Sequence, residues 1–137
     1  MKKRVLLLIA IVLLACMFTA CASFGKDPKQ YAKTLENKGF YVEIFDKSNL
    51  YDFFDIYSIL EDFEIEEHSS WIDYIVFCEN EEEGYFFYCY DTASAKKIEK
   101  SLKDLMENYR GYADGGVLKR DGNIVYFGWE ENWAEIK

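Results

Sequence analysis

The sequence predicts an α+β sandwich, with helices packed on one face of a mainly antiparallel sheet. Three observations predict it. Ala95, Ile98, Leu102, Leu105 and Tyr109 recur at spacings of three and four, the mark of an amphipathic helix. The runs Ile72 to Glu79 and Tyr85 to Tyr90 are rich in β-formers and are separated by the polar stretch Asn80 to Gly84. Asp121-Gly122 sits between two further runs, Val117 to Arg120 and Ile124 to Phe127, and Asp-Gly readily supplies the positive φ angles of a type I′ hairpin turn.

Taken in order, Asp27-Pro28 opens the first helix, a capping carboxylate followed by a residue that has no N–H to satisfy, and Gly39 closes it after Lys38. Phe40 to Phe45 alternates as a strand, with Phe40, Val42 and Ile44 on one side. Ser48-Asn49 caps a second helix, whose Leu50, Phe53, Phe54, Tyr57 and Leu60 form a wide apolar stripe. Phe63 to His68 alternates apolar and acidic residues as a short strand. After the hairpin at residues 72–90, Asp91-Thr92 caps the long amphipathic helix, whose other faces carry Lys96, Lys97, Lys100 and Lys103. The second hairpin follows, and Trp129 to Lys137 is a polar tail or short helix anchored by Trp133.

That order places helix-linked connections on both sides of a hairpin, the split βαβ arrangement of ferredoxin-like folds with an added N-terminal helix and a C-terminal hairpin. No repeat, low-complexity tract or linker divides residues 27–137, so one domain is expected there.

Ahead of it, Lys2, Lys3 and Arg4 precede an apolar run from Val5 to Phe18, and Phe18-Thr19-Ala20-Cys21 ends the segment. A basic head, an apolar stretch shorter than the ~20 residues of a comfortable span and a small residue before cysteine describe an export signal. The segment resembles a bacterial lipoprotein signal peptide. The resemblance implies cleavage after residue 20, lipidation of Cys21 as the new amino terminus, and a short tether, residues 21–26. Leu13-Leu14-Ala15-Cys16 is a second match and makes Cys16 the alternative site; an uncleaved anchor is the other alternative. The implied location is the extracytoplasmic side of a cell membrane, held by acyl chains that each contribute ~0.8 kcal/mol per buried CH₂.

The chain carries 25 acids against 16 Lys and Arg, a net charge of −9. The signal holds three of those bases and no acid, so the exported domain is more acidic still. Such a balance argues against nucleic-acid partners and leaves the lipid as the membrane contact.

Only Cys78 and Cys89 lie beyond the signal region. With a two-residue turn at Glu83-Gly84 they face one another across the hairpin, and two outcomes fit: a disulfide or a pair of buried free thiols. Catalytic signals are absent. His68 is the single histidine, no Gly-x-Ser-x-Gly turn is present, and the acidic stretches 61–67 and 79–83 lack the spacing of a calcium loop, so neither catalytic residue, metal nor cofactor is assigned. Eleven Tyr, eleven Phe and three Trp exceed what one small core needs. A sheet covered on one face leaves the other open, so Tyr74, Tyr88, Tyr126 and Trp129 are the candidate contact face, unless they complete the core. The functional expectation is an interaction module for a protein of the envelope; a cell-surface hydrolase or glycan-binding protein is the alternative.

Overall fold

The computed structural model describes residues 24–56, 67–108 and 115–136. Helix α1 (Pro28–Asn37) starts as its sequence dictates, with Asp27 Oδ1 accepting from the amides of Lys29 at 2.9 Å and Gln30 at 3.0 Å. It ends in a Schellman arrangement: Gly39 has φ +93°, its amide donates to Glu36 O at 2.9 Å, and the Phe40 amide donates to Leu35 O at 3.2 Å. Leu35 and Phe40 are thereby delivered to the same buried cluster.

Strand β1 (Tyr41–Phe45) leads to α2 (Leu50–Ile56), whose approach is fixed by two polar side chains. Asn49 Oδ1 accepts from the Asp46 amide at 2.7 Å and Asp46 Oδ1 from the Ser48 amide at 2.8 Å. The expected strand at Phe63 to His68 falls mostly outside the described residues; from Glu67 to Trp71 the backbone is a 3₁₀ helix. Then come β2 (Ile72–Asn80), β3 (Glu82–Cys89), α3 (Thr92–Asn108), β4 (Gly116–Asp121), β5 (Ile124–Trp129) and α4 (Glu130–Ile136). Asp91 caps α3 as expected, its Oδ1 accepting from the Ser94 amide at 2.6 Å.

The five strands form one antiparallel sheet in the order β1-β2-β3-β5-β4, and with its helices it is the α+β sandwich the sequence predicts. Because β5 is antiparallel to both neighbours, β3 and β4 run the same way with β5 between them, so β3-α3-β4 is a split βαβ unit. The other helix-linked connection is different. The chain leaves the Phe45 end of β1 and returns to the Ile72 end of β2, which is the same end of the sheet, so β1 and β2 are adjacent and antiparallel.

Helices cover both faces rather than one. Under α2 and α3, Phe45, Phe77, Tyr85, Phe87 and Phe127 meet Phe53, Ile98 and Leu102 in one core. On the opposite face Val76, Cys78, Phe86, Tyr88 and Tyr126 lie under Phe24, α1 and α4. The reason is in β3: Tyr85-Phe86-Phe87-Tyr88-Cys89 is apolar at every position, and all five residues are buried. An unbroken apolar strand needs cover on both sides.

Candidate functional site

The cysteine pair is separated by the register of its hairpin. The chain reverses at Glu81, φ +66°, so that Cys78 lies opposite Gly84 instead of Cys89. Against the expected pairing this is a displacement of five residues, and an odd shift sends a side chain to the other face. Cys78 faces the α1 and α4 core and Cys89 the α2 and α3 core; both are buried free thiols. Burial pushes each up to about 12 from 9.0, so neither is a thiolate nucleophile at neutral pH.

Gly84 is kept out of the turn by Tyr126. A Cβ at Gly84 would stand 3.1 Å from both the Tyr126 hydroxyl and its Cε2, and one at Gly128, the residue paired with Gly84, would stand 2.5 Å from the same hydroxyl. The two glycines form the bed on which a fully buried Tyr126 lies. The Asp121 hairpin also turns one residue late: Asp121 pairs with Ile124, and Gly122 alone has positive φ, +59°, the pattern of a type II′ turn.

The aromatic contact face does not form as an open surface. Tyr88 is 4% exposed and its hydroxyl donates to Gly25 O at 2.6 Å, tying the start of the domain to β3. Tyr126 packs against Trp133 with ring centroids 5.0 Å apart, and Trp133 in turn against Phe24 at 5.5 Å. Tyr74 packs at the edge of the same cluster, half-buried. Trp129 alone of the four is at the surface of a cleft.

That cleft, of about 520 Å³, lies at the end of the sheet where β2 turns into β3 and β5 into α4. Trp129 is flanked there by the exposed Glu82, Glu130 and Glu131. Its wall is fastened by Asn132, 1% exposed, whose Nδ2 donates to Glu82 O, and by the Glu130 amide, which donates to Gly115 O at 2.9 Å. Glu79, Glu81 and Glu83 project from the same end, and Asn80 Nδ2 donates to Glu135 Oε2 at 2.8 Å. The acids of the β2–β3 turn therefore join those of α4 in one pole, a grouping that linear sequence separates by about half the domain.

The opposite end receives the N-terminal chain. Phe24 is 5% exposed, its amide donates to Asp121 Oδ2 at 3.3 Å, and its ring meets Phe86 at 5.5 Å. Phe24 and Gly25, expected within a tether of residues 21–26, are therefore held by the domain itself. Cys16 and Cys21 lie outside the described residues. Among the described residues no group of three or more His, Cys, Asp or Glu side chains is placed to hold a metal ion, and no helix is long and apolar enough to cross a membrane. The backbone of His68 lies in the 3₁₀ helix. Comparison with protein-family models, curated proteins and solved structures finds no match.

Proposed function

We propose that this is a lipid-anchored interaction module of a cell envelope, held by Cys21 at one end and binding a basic partner protein at the other. The observation that carries the reading is polarity along the sheet. The chain enters the domain at Phe24 at one end, and the Trp129 cleft with Glu82, Glu130 and Glu131 stands at the other. An indole face ringed by carboxylates suits Lys and Arg side chains, by cation–π and ionic contact together. The open cleft, lined by Trp129, Gly115, Ala134 and three carboxylates, is a surface suited to binding.

The anchor is tested by fatty-acid labelling: Cys21→Ala abolishes incorporation, whereas loss only in Cys16→Ala moves the site upstream. Binding is tested by crosslinking in intact envelopes, comparing the native chain with Glu82→Lys, Glu130→Lys and Glu131→Lys combined. The reading expects the native adducts to disappear and to be salt-sensitive; an identical adduct pattern overturns it. Trp129 beside carboxylates also fits the alternative of a glycan ligand, which charge reversal would weaken little and Trp129→Ala would abolish.

A further inference from the structure

We infer that the end of the sheet where the chain enters is a bilayer-facing surface, with Tyr51 and Tyr90 at headgroup level and Lys26 and Lys47 beside them. The inference rests on the lipid anchor proposed above and adds the orientation that the domain takes on it.

Reach is the first argument. Cys21 and Phe24 are three residues apart, so the Cα of the lipidated residue stays within ~11 Å of the Cα of a residue that is fixed in the core. The headgroup layer of one leaflet is itself ~5–7 Å deep. A domain held that closely touches the layer with whichever end carries Phe24.

Chemistry is the second. Two of the three large apolar residues most exposed on the described surface, Tyr51 at 64% and Tyr90 at 45%, lie at this end. Tyr90 stands between two concavities, one bordered by Phe24 and Lys26 and the other by Lys47 and Tyr51. Lys47 Nζ lies 4.9 Å above the Tyr90 ring, and Lys97 Nζ lies 4.5 Å above the half-buried Trp71 ring. Tyrosine and lysine together are the side chains that settle at the water–hydrocarbon boundary, a ring at headgroup depth and an amine reaching phosphate.

Charge is the third. The anchored end has Asp27, Asp46, Asp91 and Asp121, but each carboxylate accepts a backbone amide hydrogen bond, and Asp27 and Asp91 cap helices whose N-terminal partial positive charge offsets them. Among the described side chains of this end, Asp52 and Asp73 remain against Lys26, Lys47 and Lys97. The far end holds Glu79, Glu81, Glu82, Glu83, Glu130, Glu131 and Glu135. Of the described side chains, those of the far end are therefore the ones that an anionic surface repels most.

The test uses the full lipidated chain in vesicles of equal parts phosphatidylcholine and phosphatidylglycerol that include a headgroup-nitroxide lipid. Three chains carry a single fluorophore, at Tyr90→Cys, Tyr51→Cys or Glu81→Cys; all three positions are at the surface, and the buried Cys78 and Cys89 stay unlabelled. The expected result is quenching several-fold stronger at positions 90 and 51 than at 81. Equal quenching, or more at 81, in protein that floats with the vesicles overturns the orientation alone. Protein that fails to float overturns the anchor and the orientation with it.

Discussion

At Gly128 a missing side chain and a buried ring define each other. A Cβ there would meet the Tyr126 hydroxyl at 2.5 Å, Cζ at 2.9 Å and Glu83 O at 3.0 Å, and backbone on one side and a packed ring on the other leave little room to yield. Gly128→Ala is expected to cost ~1–3 kcal/mol, the range of overpacked cores. Tyr126→Phe removes the nearest atom, so in a double-mutant cycle by urea unfolding the pair should cost less than the sum of its members; strict additivity would show that the ring does not lie on the glycine. The thiols give a second expectation. Being on opposite faces, Cys78 and Cys89 leave the melting temperature unchanged by reductant. Burial raises both from 9.0 to about 12, and Tyr31 from 10.0 to about 12, while Tyr88 and Tyr126 move up as well. The folded chain keeps protons that the unfolded chain gives up, so this stability is whole below pH ~9 and is lost as pH climbs toward 12. A urea midpoint flat to pH ~9 and falling above it is the signature; a midpoint level to pH ~12 contradicts it.

Elements whose ends are set by local chemistry were legible. Asp27-Pro28, Lys38-Gly39 and Asp91-Thr92 cap α1 and α3 where the sequence puts them, because a cap needs only its own few neighbours. Asp27→Ala is accordingly expected to lower stability by ~1 kcal/mol, read by thermal denaturation, with Asp27→Ser restoring most of it. Turns proved less legible, since the glycine that looked like turn chemistry had a tertiary use. Gly84 serves the Tyr126 ring, so the reversal moved to Glu81, and the cysteine pairing and the contact face changed with the register. The apolar continuity of Tyr85 to Cys89 was a readable sign that both faces of the sheet are covered, and it outranked the alternation seen in neighbouring strands. Of the candidate face, Trp129 alone reaches a cleft, and its partners Glu82 and Glu130 come from distant segments that only the β3 and β5 pairing unites.

Across the whole molecule the two cores differ in how the chain builds them. The α2 and α3 core draws on residues 45–127, whereas its counterpart needs both extremities of the described chain. Phe24 meets Trp133, and Lys38 Nζ donates to Glu135 O at 3.2 Å and Ile136 O at 3.0 Å, closing the carbonyl end of α4. Trp133→Ala should therefore loosen the start of the domain as well as its end, costing ~2–3 kcal/mol and, in hydrogen exchange, speeding the Phe24 amide together with those of α4. Exchange that quickens in α4 alone would separate the two. The same closure has a consequence in time. A polypeptide that emerges amino end first gives α1 its β1 and β2 neighbours early, but leaves Phe24 without Trp133 until some hundred residues later, and joining ends so far apart carries a loop-entropy cost that local helices never meet. Part of the face under α1 and α4 lacks its cover until the final helix is made, so a chain still being synthesised cannot lock into its finished form.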